Sequence, residues 1–256
     1  MKKAILSLLT LATLTITLVA SAHASLVFDN MSNYQNGDPN AHVASTGSTP
    51  NTFMGDAYTL TPGTTSITGF DLYPVNLSGT TYTGLKINMF VWGSVNTGTV
   101  NATTPAFSNL LGSYTYTMTG TYTTGYYFPI EGTPIGSAPG FTLATPLALS
   151  GTTIGMVLNY QGTTDGINYT SANSLTSLLS YGTLPTVGSQ VFNGYYRNAA
   201  SETNGNFTST LRSLGYTNQS LGLRIFGNSA TAVPEPSTFL LLGVGLGGLA
   251  LLKRRT

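Results

Sequence analysis

The sequence predicts an all-β fold, an antiparallel sandwich or barrel, held between two apolar chain ends. Three observations lead there. Short runs of β-favouring residues recur from Ser25 to Ala232, clusters of Gly, Asn, Pro, Ser and Thr separate them, and helical spacing is nearly absent. Only Leu175, Leu178 and Leu179 fall at helical intervals, which suggests a single turn packed on the sheet edge.

Taken along the chain, the early strand candidates are Leu26 to Asp29, Ala57 to Leu60 and Ser66 to Tyr73. The clearest half-buried strand is Leu85 to Trp92. It sets Leu85, Ile87, Met89 and Val91 on one face and Lys86 and Asn88 on the other, while Trp92 could face either way. Ser113 to Met118 alternates similarly, with Tyr114, Tyr116 and Met118 opposite Ser and Thr. Thr153 to Tyr160 is apolar on nearly both faces, the pattern of a central strand. Between Gln161 and Leu211 the sheet pattern is weakest, and a long excursion with a strand near Val191 to Tyr196 is expected. Leu221 to Phe226 closes the domain, pointing Leu221, Leu223 and Ile225 inward. No fixed repeat is visible, which argues against a propeller or a β-helix.

Composition narrows the function. The chain has 256 residues, of which 7% are charged and 11% aromatic. A typical domain carries about 25% charged residues. From Ser25 to Ala232, four basic residues (Lys86, Arg197, Arg212, Arg224) face seven acidic ones (Asp29, Asp38, Asp56, Asp71, Glu131, Asp165, Glu202), a net charge of −3. Nucleic-acid binding needs clustered cations, and this segment has no basic patch. The absence of Cys excludes disulfides, thiolate metal sites and a Cys nucleophile.

The chain ends carry the strongest signals. Residues 1–24 have the three parts of a secretory signal: Lys2 and Lys3, an apolar run from Ala4 to Ala20, and the small-residue site Ala22-His23-Ala24, with cleavage by signal peptidase expected before Ser25. This places a signal helix ahead of an exported domain over residues 25–232. Residues 233–256 read Val233-Pro234-Glu235-Pro236-Ser237, then an apolar stretch from Thr238 to Leu252, then Lys253-Arg254-Arg255. The two prolines stop a preceding strand, and the cationic cluster favours the cytoplasmic side. About 15 apolar residues make roughly 22 Å of helix, short of the usual span, so this membrane helix suits transient insertion better than lasting anchorage.

The ending resembles the PEP-CTERM family of sorting signals, in the motif Pro234, Glu235 and Pro236 and in the basic tail Lys253, Arg254 and Arg255. That resemblance implies an exosortase as processing partner in a Gram-negative bacterium. It also implies an inner-membrane intermediate, then a place at the cell surface or in the extracellular matrix with exopolysaccharide or biofilm. The succession of Asp29-Asn30, Gly55 to Leu60 and Ile67 to Leu72 is similar to the jelly-roll sandwiches common in PEP-CTERM proteins, which resemble carbohydrate-binding modules.

No catalytic constellation stands out. His42 is the sole histidine after the leader, and no G-x-S-x-G elbow surrounds any Ser, so an enzyme is not expected. The seven acids are scattered singly, although a fold could still pair two of them for glycoside hydrolysis. Asp29, Asn30, Asp38 and Asp56 are weak calcium candidates, because they lie early in the chain but form no D-x-D-x-D-G loop. As turn caps they need no ion. No other cofactor is expected. Sugar rings stack on exposed aromatic faces, so Tyr114, Tyr116, Tyr126, Tyr127, Tyr195 and Tyr196 are candidate glycan contacts; as strand residues they would equally pack in the sandwich. The sequence thus predicts a non-enzymatic, matrix-associated surface protein. A carbohydrate-binding module or weak glycosidase is the second reading, and a self-associating coat protein, favoured by low charge, is the third.

Overall fold

A computed structural model of the protein describes residues 24–32, 53–96, 106–171, 175–181, 185–190, 196–198, 212–213 and 219–229. Every regular element among them is a strand. The first five are β1 (Ser25–Asp29), β2 (Phe53–Thr59), β3 (Thr64–Leu72), β4 (Pro74–Asn76) and β5 (Tyr82–Val95). Next come β6 (Phe107–Tyr122), β7 (Tyr126–Tyr127), β8 (Phe141–Ala148), β9 (Thr153–Thr163), β10 (Thr170–Ser171) and β11 (Leu175–Ser177). The last are β12 (Leu179–Tyr181), β13 (Ser189–Gln190), β14 (Tyr196–Asn198), β15 (Arg212–Ser213), β16 (Gln219–Leu221) and β17 (Leu223–Ser229).

The strands form two main antiparallel sheets. The small sheet has the order β1-β17-β3-β8, and the large one runs β15-β14-β2-β9-β5-β6, with β10 and β13 attached at its side. Two minor sheets, β11-β4-β7 and β12-β16, are built from short segments. The alternation read in Leu85 to Trp92 has a direct structural result. Leu85, Ile87 and Met89 are each 1% exposed and Val91 is fully buried, and they share one core with Phe28, Ile67, Phe70, Leu223 and Ile225 of the small sheet. Fully burying side chains of this kind contributes about 1.5–3 kcal/mol each, so this shared core is what holds the sheets together. β9 is central as its double-sided apolarity predicts, lying between β2 and β5.

Several elements depart from the sequence expectation. The turn of helix expected at Leu175, Leu178 and Leu179 is instead strand. Residues 175–177 pair with β4, Leu178 donates its amide to Tyr73 O at 2.8 Å, and residues 179–181 pair with β16. Leu175 and Leu178 are buried as a helical stripe would be, but Thr176 and Ser177 are buried too, so the segment is enclosed on all sides. The strand expected from Ser66 to Tyr73 stops at Leu72, because Pro74 starts the separate β4. The one expected from Leu221 to Phe226 divides at Gly222. Asn30 spans that division: its Nδ2 donates to Leu221 O at 2.8 Å and its Oδ1 accepts from Leu223 N at 2.9 Å. Both expected terminal helices lie outside the described residues, and so does the expected strand up to Tyr195, while Tyr196 opens β14. Among the described residues no helix is long and apolar enough to cross a membrane.

Candidate functional site

Each main sheet has an outer side, turned away from the shared core, and the two are built differently. On the small sheet, antiparallel register sets Asp29, Arg224 and Asp71 side by side across β1, β17 and β3. Arg224 Nε lies 3.2 Å from Asp29 Oδ1, and its Nη1 lies 3.4 Å from Asp71 Oδ2 and 2.7 Å from Glu131 Oε1. Tyr73 completes the group, its hydroxyl donating to Glu131 and accepting from Arg224. The segment from Ile130 to Gly140 closes over the row, and Gly140 N donates to Asp71 Oδ1 at 2.8 Å.

The burial of this row divides its carboxyls. Burial raises the Asp71 carboxyl above its ordinary value, and the bonds from Gly140 and Arg224 offset only part of that rise. Burial raises Asp29 too, but hydrogen bonds from Ser32, Met31 and Thr186, with the Arg224 charge, outweigh it and leave the carboxyl lowered. Tyr73 is pushed up by burial and by its bond to Glu131.

The outer side of the large sheet carries little charge and is more open. Thr115, Asn88 and Asn159 form one cross-strand row on β6, β5 and β9. Thr115 Oγ1 donates to Asn88 Oδ1 at 2.9 Å, and Asn88 Nδ2 donates to Asn159 Oδ1 at 2.9 Å. All donors in this row point the same way, so each bond polarises the next. One row along, Thr117, Lys86 and Gln161 stand together, with the Lys86 ammonium 4.4 Å from the centre of the Tyr169 ring. Gly84 makes room here: a Cβ at that position would lie 2.8 Å from the Tyr169 hydroxyl.

Beyond the amide row, the same side carries an apolar patch of Phe53, Ala57, Phe90, Trp92, Ala106, Phe107 and Val157. Trp92 therefore faces outward from the sheet yet is only 9% exposed. Phe107 crosses over β9, and Gly155 is the floor it rests on, since a Cβ there would penetrate the ring. This covering is why β9 is apolar on both faces.

The sequence-predicted site residues scatter over this frame. Tyr114 and Tyr116 lie half-buried on the core side of β6 and pack against Phe141 of β8, with ring centres 6.4 and 5.1 Å away. Tyr126 and Tyr127 lie on β7, paired with β4, and are 64% and 38% exposed. The two pairs belong to different sheets and form no common platform. Tyr195 lies outside the described residues, and Tyr196 is described by its backbone alone, paired with Gly55. Ala22, Pro234, Glu235, Pro236, Lys253, Arg254 and Arg255 are outside them as well, as are Asp38 and His42, whereas Ala24 leads directly into Ser25, the first residue of β1.

The calcium candidates hold the fold's own hydrogen bonds. Asp29 caps the turn after β1 through Met31 N at 2.8 Å and Ser32 N at 3.0 Å, besides pairing with Arg224. Asn30 bridges the division at Gly222. Asp56 is fully buried and accepts from Ala57 N at 2.7 Å and Leu221 N at 3.3 Å, and burial pushes its carboxyl well above the ordinary range. Among the described residues, no three His, Cys, Asp or Glu side chains form a group able to hold a metal ion.

Sequence reasoning did not find the charge row or the amide row. The single cation inside Leu221-Gly222-Leu223-Arg224-Ile225-Phe226 was a signal for the first, because a buried Arg requires carboxylate partners. The second had none, since Asn88 and Asn159 are brought together only by register.

Residues 232–255 match the family described as the PEP-CTERM protein-sorting motif. No curated protein and no solved structure matches the chain. The matched segment starts soon after Ser229, where the last of the described strands ends. The chain thus carries, behind an all-β domain, a sorting signal that marks exported proteins for exosortase processing.

Proposed function

We propose that this is a non-enzymatic surface or extracellular-matrix protein of a Gram-negative bacterium, with a jelly-roll-like sandwich that is displayed outside the cell and associates with exopolysaccharide. In this reading, signal peptidase removes residues 1–24. The apolar stretch after Pro236 then holds the chain transiently in the inner membrane until an exosortase acts near Pro234-Glu235-Pro236. The match at residues 232–255 is the observation that carries the proposal.

The outer face of the large sheet is the proposed sugar-contacting surface. Its rows are exposed hydroxyls (Thr115, Thr117) and half-buried amides (Asn88, Gln161) beside a Tyr169 ring and one cation, Lys86. Sugars offer many hydroxyls and little charge, so a shallow surface with aligned donors, an aromatic edge and a single cation is chemically suited to them. Tyr126 on β7 is an alternative stacking position.

Two measurements test the proposal. Mass spectrometry of the mature protein from host cells should find both ends trimmed, and deleting the exosortase should leave residues 237–256 attached. Retardation in gels containing the host polysaccharide should fall about tenfold in apparent affinity for Asn88→Ala, on the scale of a lost hydrogen bond. An intact C-terminal segment in surface-displayed protein would overturn the sorting step, and unchanged retardation would remove the large sheet as the sugar face.

A further inference from the structure

Among the described residues the two main sheets end in four edges, and three of them are protected. β1 has only five residues, and its backbone is covered further where Asp29 N donates to Val187 O at 3.0 Å and Thr61 N donates to Val27 O at 3.0 Å. β15 has two residues. β8 has eight and includes Pro146, which cannot donate to a new ladder. The fourth edge, β6, is sixteen residues long, and among the described residues no strand pairs with its outer side.

The middle of β6 lacks the charges, prolines and bulges that usually keep an edge from pairing. The strand contains no Lys, Arg, Asp, Glu or Pro from Phe107 to Tyr122. Its irregularities lie toward the two ends, where the register with β5 shifts between Val91 and Trp92 and between Tyr82 and Gly84. The stretch between them, Gly112-Ser113-Tyr114-Thr115-Tyr116-Thr117-Met118-Thr119, is regular and rich in residues that favour strands.

From this edge we infer that the protein pairs with a second copy of itself, β6 against β6, so that two large sheets continue as one. The sequence of the strand is its own complement. In an antiparallel pair, directly opposite residues share a face, so a two-fold axis passing beside Thr115 sets Tyr114 against Tyr116 of the second copy and Ser113 against its Thr117. Aromatic and hydroxyl pairs of this kind stabilise neighbouring strands, and no like charges oppose each other. Main-chain hydrogen bonds supply the affinity, as in other cases of strand addition. The inference stands independently of polysaccharide binding, and it selects this edge from the four.

The lack of native cysteine makes the test clean. The full chain in mild detergent, carrying Thr115→Cys, is treated with a short bismaleimide, alongside a control with Ser150→Cys, an exposed position in the turn after β8. Self-pairing gives at least tenfold more covalent dimer from Thr115→Cys than from the control. Adding Ser113→Glu and Thr117→Glu sets repelling charges on both sides of the junction and should reduce that dimer at least tenfold. Within one copy Glu at 117 would stand beside Lys86, which keeps the sheet itself in balance. The uncharged pair Ser113→Gln and Thr117→Gln should keep the dimer, which separates repulsion from misfolding. Equal cross-linking at positions 115 and 150, persistence of the dimer with both glutamates, or its loss with both glutamines would each overturn the inference.

Discussion

The outer sides of the two sheets pose the same problem, polar residues in the middle of strands, and solve it in opposite ways. On the small sheet the row Asp29–Arg224–Asp71 is charged and lies beneath the segment carrying Glu131 and Gly140. On the large sheet the row Thr115–Asn88–Asn159 is neutral, and its Thr115 end is exposed. Sealing a charged row confines it to holding strands together, since its bonding capacity is used internally. A neutral row that reaches solvent keeps capacity for something else. What decides the role of a polar strand residue here is the cover laid over it, more than its own chemistry.

The contrast can be broken from the sealed side first. Arg224→Met leaves Asp29, Asp71 and Glu131 facing no cation, and a chemical denaturation midpoint should report a loss of about 3–5 kcal/mol. If the protein instead keeps its stability, the row is not closed to water in the way its burial indicates. Gly155→Ala comes next, because the new methyl displaces Phe107 from the floor of the apolar patch; the expected cost is about 1–3 kcal/mol. Combining it with Phe107→Ala should recover part of that cost, and strict additivity would mean that the two residues do not touch.

The two aspartates of the charge row should respond to pH with opposite signs. Asp71 has a raised carboxyl, so its favourable contribution is present below the unfolded value of 3.8 and is lost as pH rises through the folded one. Asp29 has a lowered carboxyl, so its contribution is present above 3.8 and is lost as pH falls through the folded value. The stability difference between wild type and Asp71→Asn should therefore shrink with rising pH, and that between wild type and Asp29→Asn should grow. Neither slope can exceed about 1.4 kcal/mol per pH unit, the limit for a single proton. Slopes of the same sign would contradict the division of the row. The smallest effect belongs to the open side, where Asn88→Ala removes two hydrogen bonds at a half-exposed position and should cost about 1 kcal/mol by the same denaturation measurement.

Much of the sheet architecture was legible because period-two alternation reports burial directly. Leu85, Ile87, Met89 and Val91 face the core as their spacing requires, and the apolarity of Thr153 to Tyr160 marked a central strand. The failures have physical causes. Leu175, Leu178 and Leu179 look helical because spacing records which positions are buried, and a short segment enclosed on every side buries positions at any spacing. Tyr114 and Tyr116 fit platform or packing equally on pattern alone, and it takes the nearness of Phe141, on a strand of the other sheet, to show that their rings pack toward the core. Rows assembled from residues 29, 71 and 224, or from 88, 115 and 159, depend on register between distant strands, which a single sequence does not encode locally. The sorting segment was the reverse case. Its motif, apolar run and cations are contiguous, so it could be recognised without any fold.

The position of β17 has a mechanical consequence. Its ladder to β1 includes Ser25 opposite Gly227, and its ladder to β3 runs from Leu223 to Ser229, so the described strand nearest in sequence to the sorting segment is gripped on both flanks. Tension arriving through Ser229 along the strand axis would strain both sets of bonds together in shear, instead of peeling them apart singly. A molecule suspended by this end would hang from a strand held by ladders on both sides.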